Sequence, residues 1–253
     1  MKLFSKFFLT FILVFISTTL FSHHAMEYIE MESYNTPFKG EFVFHLHFDY
    51  MVENKMNPNL DHWEFTPGIS FGITDRLMFD AHTHFAKFGK DHLTCADTDI
   101  FGPMGPSPFM EAVAFSLQYR LTKGLPVNIA VAGLFETPFS RSRELLDGKN
   151  VLEGILIVNY EFAEHSNITL NIKHGIDGNE KFSEWALGVK TPLSSNPIGI
   201  AGGIEVFGDF NGDLSILAGI YFPLGSENII FKTGLQFGGE GSRRANSTMM
   251  YRF

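Results

Sequence analysis

The stretch Glu41-Phe-Val-Phe-His-Leu-His-Phe-Asp-Tyr-Met51 changes character at almost every step. Successive side chains of an extended strand point to opposite sides, so Phe42, Phe44, Leu46, Phe48 and Tyr50 share one face while Glu41, His45, His47 and Asp49 share the other. Such a strand separates an apolar phase from water. The alternation returns along the chain until Phe253. Behind an export leader this predicts an all-β fold, a transmembrane antiparallel up-and-down β-barrel of about 12 strands in the bacterial outer membrane, with both termini in the periplasm.

The leader is read from Lys2, Lys6 and the apolar run at residues 7–16, followed by small residues up to Ser22. That run is too short to span a bilayer as a helix, so residues 1–22 are expected to be a cleaved signal peptide, with Ala25 as a competing cut. Residues 23–37 are then a periplasmic segment or a plug, and residues 38–253 the barrel. Cys95 is the one cysteine, which excludes an intrachain disulfide framework. The net charge is −9, and loss of Lys2 and Lys6 makes the chain more acidic still, which argues against a nucleic-acid partner.

Composition points the same way. Aromatics make up 15% of the residues and Phe occurs 28 times against 19 Lys and Arg together, an unusual surplus for a surface that must dissolve in water. A soluble barrel or sandwich would also alternate, with its apolar side chains inward. Here those side chains would overfill a closed lumen, whereas the Gly, Ala, Ser, Glu and Lys of the opposite face suit a polar interior. The apolar face is therefore assigned to outer-membrane lipid.

Further strands are expected near residues 63–73, 77–85, 113–121, 127–136, 151–162, 168–173, 185–190, 198–207, 214–222, 229–237 and 245–253. Pro67 lacks a ladder donor and is expected to mark a bulge. Residues 86–110 and 137–150 read as long exposed loops, and residues 177–183 as a connection between two strands. Thr74 to Arg76 makes a tight turn that sets Phe71 opposite Phe79 and Gly68 opposite His82.

The segment Thr66-Pro-Gly-Ile-Ser-Phe-Gly-Ile-Thr-Asp-Arg-Leu-Met-Phe-Asp80 resembles the strand–turn–strand of the outer-membrane family associated with the phenol meta-degradation (MetA) pathway. The ending Met250-Tyr-Arg-Phe253 is similar to the signal by which bacterial outer-membrane barrels are recognised by their assembly machinery. The resemblance implies a channel for small hydrophobic or aromatic molecules rather than an enzyme.

Four histidines, His45, His47, His82 and His84, fall on the inward face in two His-x-His pairs, joined there by Asp49, Glu64 and Asp80. Strands one and three lie about 9.6 Å apart across a strand whose inward residues are small, a span that imidazoles can bridge. Histidine with carboxylate suits zinc, copper or iron, so a divalent transition metal is the cofactor candidate and metal handling the second functional reading. The other reading of the same residues is a hydrogen-bonded ladder along the lumen wall. His23 and His24 would add donors at a new N-terminus, and Asp91, Asp97 and Asp99 could hold calcium in a loop.

The remaining inward charges, Arg120, Glu136, Glu153, Lys173, Lys190, Glu205, Lys232 and Arg252, mix both signs and do not predict strong ion selectivity. They imply water or a polar plug inside, and a small molecule as cargo. A lipid-modifying enzyme, with Ser70 beside His82, is the third reading. It lacks a nucleophile elbow.

Overall fold

The computed structural model describes residues 28–53, 56–93, 107–163, 165–193, 199–210, 212–224, 228–239 and 242–253. The leader, His23, His24, Cys95, Asp97 and Asp99 lie outside them. Twelve strands form among the described residues: β1 (Phe42–Val52), β2 (His62–Gly72), β3 (Leu77–Lys87), β4 (Phe109–Arg120), β5 (Val127–Pro138), β6 (Val151–Ala163), β7 (Ser166–Asp177), β8 (Glu180–Pro192), β9 (Ala201–Asp209), β10 (Leu214–Pro223), β11 (Ile229–Phe237) and β12 (Arg243–Arg252). Each pairs antiparallel with its neighbour in sequence, and β1 pairs with β12. Closure leaves no open edge, which is what a sheet needs in hydrocarbon, where an unpaired amide finds no water.

The seam is continuous from Val43 opposite Arg252 to Val52 opposite Arg243. It is extended by Phe42 and Phe253, each of which donates its N–H to the other's carbonyl at 3.0 Å. Their rings stack with centroids 5.7 Å apart.

The pattern of wetting is inverted relative to a water-soluble domain. Leu117, Ile204 and Leu235 are more than half exposed, whereas Gln118, Asn171, Glu205 and Asn246 are fully buried. Apolar residues thus face outward into lipid, and the polar face of each strand is enclosed. The hydrophobic effect that holds a soluble core together does not act between this wall and lipid tails. Ladder hydrogen bonds and the packing inside the barrel hold it instead.

Several local expectations need correction. Pro67 makes no bulge: the β2–β3 pairs Phe65–Phe85 and Gly68–His82 lie in one unbroken register, with no pairs at Thr66 and Pro67 between them. A missing donor costs ladder bonds without requiring an extra residue. The shift lies instead on the other side of β3, between His84 and Phe85 where they pair with β4. Strand β4 begins at Phe109 rather than near Val113, β9 begins at Ala201, with residue 198 outside the described residues, and β12 includes Arg243 and Arg244. The expected connection at residues 177–183 is only a two-residue turn, Gly178 and Asn179. The second long loop contains a helix, α1 (Ser140–Leu146). Leu145 of α1 packs with Ala86, Phe88 and Phe109 at the rim.

The interior is also less polar than composition implies. Ile155, Ile157, Leu217, Tyr221, Met78 and Met250 point inward and are buried. Several pack against residues 28–36, which run inside the barrel. Ile29 meets Ala201, Leu217 and Tyr221; Tyr34 meets Ala130, Ile155 and Ile157; Tyr28 and Met31 meet Ala186.

Candidate functional site

The backbone of the inner segment is held as firmly as its side chains. The Glu205 carboxylate accepts three successive N–H groups, from Ile29 at 2.7 Å, Glu30 at 3.1 Å and Met31 at 3.0 Å. Tyr221 adds its hydroxyl at 3.1 Å. Lys232 Nζ donates to the Tyr28 carbonyl at 2.7 Å, and Asn171 to the Glu32 carbonyl at 3.1 Å. Gln118 Nε2 reaches the carbonyls of Ser33 and Tyr34 at 2.9 and 3.1 Å. Tyr28 donates its hydroxyl to Asn167 at 2.6 Å, and Tyr34 to the Thr122 carbonyl. An irregular segment enclosed by protein must have its amides and carbonyls paired, and here the inward residues of β4, β7, β9 and β11 supply the partners.

Glu30 joins this segment to the seam. Its carboxylate lies 3.1 Å from His47 Nε2 and 3.5 Å from Arg244 Nη1, and it accepts from Asn246 Nδ2 at 2.6 Å. Burial by itself would raise the carboxyl, but the Arg244 guanidinium and the hydrogen bond from His47 overcome it and hold the group at about 2. Asp49 shares these partners: it contacts His47 Nε2 at 2.8 Å, Asn246 Nδ2 at 2.7 Å and Arg244.

The seven residues read as one metal cluster therefore form separate groups. His45 and His82 both bind Asp80, at 2.9 and 2.7 Å. His47 belongs with Asp49, Glu30 and Thr248. His84 lies 3.4 Å from Thr66 Oγ1 and 3.5 Å from Glu136, while Glu64 lies 3.9 Å from His62. Glu30, His47 and Asp49 do bring ligand-type atoms within 4.8 Å of one another, and in the structure each carboxylate there has protein partners. Ser70 gives its hydroxyl proton to Asp80 at 2.6 Å rather than to His82.

The other inward charges are dispersed. Lys173 pairs with Glu153 at 3.7 Å, Lys190 lies over the Tyr221 ring, and Arg252 approaches Glu41 at 3.9 Å. Arg120 donates to the Asp75 carbonyl and stacks on Tyr34. Sequence reasoning missed Glu30, because residues 28–36 follow no period. It missed Arg244 and Asn246 as lumen groups although they alternate with Thr248 and Arg252.

Beside the inner segment, at the end of the barrel where β4 turns into β5, lies a cavity of about 630 Å³. Its lining combines the rings of Tyr34, Phe38 and Phe162 with Arg120, Lys123 and Asn128. Arg120 Nε and Asn128 Oδ1 are buried there without a hydrogen-bond partner.

No protein-family model matches the chain, and no curated protein does. Solved structures do match in fold. The KdgM porin superposes with a TM-score of 0.59 at 8% identity, over 83% of this chain and 99% of the porin. An outer-membrane channel from Pseudomonas putida F1 gives 0.55 at 10% identity, over 89% and 100%. The NanC porin gives 0.54 at 7% identity, over 82% and 98%. With its lipid-facing apolar surface, the chain thus has the fold of a bacterial outer-membrane barrel.

Proposed function

We propose that this protein is an outer-membrane barrel that binds and passes a small molecule, and that residues 28–36 plug its lumen in the state described. The observation that carries this reading is the cavity of about 630 Å³ beside the inner segment, a volume suited to a small organic ligand. Its aromatic rings suit a flat apolar cargo, Arg120 and Lys123 suit an anionic substituent on it, and the orphaned Asn128 Oδ1 suits a hydrogen-bond donor. The resemblance of residues 66–80 to the phenol meta-degradation family supports the same cargo class. Such a ligand would compete with Tyr34 for Arg120 and so loosen the plug where it touches the cavity.

Single-channel recording in a planar bilayer tests the proposal. The protein should conduct in rare brief openings, and more often when a simple aromatic acid such as benzoate is added on the cavity side. A barrel lacking residues 28–36 that still carries no current would overturn the channel reading.

A further inference from the structure

A second cluster lies at the opposite end of the barrel from the cavity, and none of the lumen chemistry uses it. We propose that Glu53, His62 and His92 bind a single divalent transition-metal ion. Glu53 follows the end of β1, His62 opens β2, and His92 closes a short 3-10 turn (Lys90–His92) in the segment that follows β3. The β1–β2 connection and the segment after β3 thus present two imidazoles and one carboxylate, with ligand-type atoms all within 4.8 Å of one another. His92 Nε2 lies 4.0 Å from Glu53 Oε1, and the two imidazole centroids are 5.1 Å apart.

The state of His62 is the second observation. The residue is buried, and its Nδ1 has no hydrogen-bond partner, an expensive way to leave a polar atom. Its other nitrogen faces the Glu64 carboxylate at 3.9 Å. A small approach would let Nε2–H donate to that carboxylate and leave Nδ1 for the ion, the division that a metal-ligating imidazole requires.

The surroundings hold both rings in place. Phe88 stacks on His62 at 5.2 Å and meets His92 edge-on at 5.6 Å, and His92 Nε2 donates to the Leu60 carbonyl at 2.7 Å, which leaves Nδ1 as the nitrogen with a lone pair for the ion. The two segments that carry the cluster touch closely: a Cβ on Gly89 would overlap the Asn59 carbonyl, so glycine is needed there. Glu53 and His92 remain partly exposed and have room to move the short distance that zinc coordination needs, since bonds of about 2.0–2.2 Å bring ligand atoms nearer together. Two nitrogens and one oxygen suit zinc or copper rather than calcium or magnesium, and leave a coordination position open. A bound ion would clamp the β1–β2 connection to the segment at residues 88–93.

The test is calorimetric titration of zinc into untagged, chelator-treated full-length protein in detergent. About one zinc per chain is expected, with affinity lowered at least tenfold in His92→Ala and unchanged in His45→Ala. On the intact protein, Cu(II) electron paramagnetic resonance should show hyperfine splitting from two nitrogens, a readout that no variant's folding can confound. The proposal is overturned if the wild type retains no zinc, if His92→Ala binds it equally well, or if binding survives in His92→Ala and disappears in His47→Ala, which would put the ion in the lumen.

Discussion

His45 reaches Asp80 across an intervening strand: Nε2 lies 2.9 Å from Oδ2 although β2 separates β1 from β3. The crossing is possible because Gly68 stands between them. A Cβ there would lie 2.6 Å from His45 Nε2 and 2.7 Å from His82 Cβ. Asp80 collects His45, His82 and Ser70 into one carboxylate-centred knot that ties three strands together.

Gly68→Ala is accordingly expected to eject His45 and destabilise the barrel by about 1–3 kcal/mol, the usual cost of overpacking. Thermal unfolding in detergent, followed by circular dichroism, should show a lower midpoint. A midpoint equal to the wild type's would mean that the crossing contributes nothing.

Glu205→Ala removes the acceptor of three consecutive amides, of which the buried two, from Ile29 and Met31, each cost about 1–3 kcal/mol when left unpaired. The inner segment should then leave the lumen for much of the time, and channel open probability should rise well above the wild-type level. Unaltered closed recordings from correctly folded Glu205→Ala would argue that the segment does not set conductance.

Acid should loosen the segment as well. The folded-state carboxyl of Glu30 is depressed from 4.5 to about 2, so its ion pairing with Arg244 is fully present above 4.5 and is lost as pH falls through about 2. Open probability is expected to climb over that interval, and Glu30→Gln should flatten the profile. Identical profiles for the two proteins would assign any acid opening to other groups.

On the lipid side, Phe115→Arg places a charge on the outward register of β4. The expected cost is about 2–4 kcal/mol near the bilayer midplane. Denaturant unfolding from vesicles measures it, and a neutral effect would contradict the assignment of this face to lipid.

The strands were legible because a half-lipid, half-water environment stamps a period of two on every one of them. Even the pairs Phe71–Phe79 and Gly68–His82 followed from the turn at Thr74 to Arg76. What stayed hidden has no period. Residues 28–36 are enclosed on all sides, so their sequence shows no wet face, and their partners lie far along the chain, as with Tyr28 and Asn167. The two-residue turn after β7 was missed because Glu180, Lys181 and Glu184 look like loop residues but are exposed parts of β8. His92 could not be placed beside His62, since only the packing of the segment at residues 88–93 onto residues 57–61 brings them together.

The inner segment is also covalently joined to the wall it fills. Just before β1, Phe38 donates its N–H to Glu41 Oε2 at 2.7 Å and Gly40 donates to the Gly72 carbonyl at 2.7 Å, so the chain is pinned at the rim before it enters the barrel. A segment that swings out on such a short leash stays at a local concentration on the order of millimolar. Its return is a first-order event, indifferent to how many copies the membrane holds, and any soluble rival must beat that standing advantage each time the way lies open.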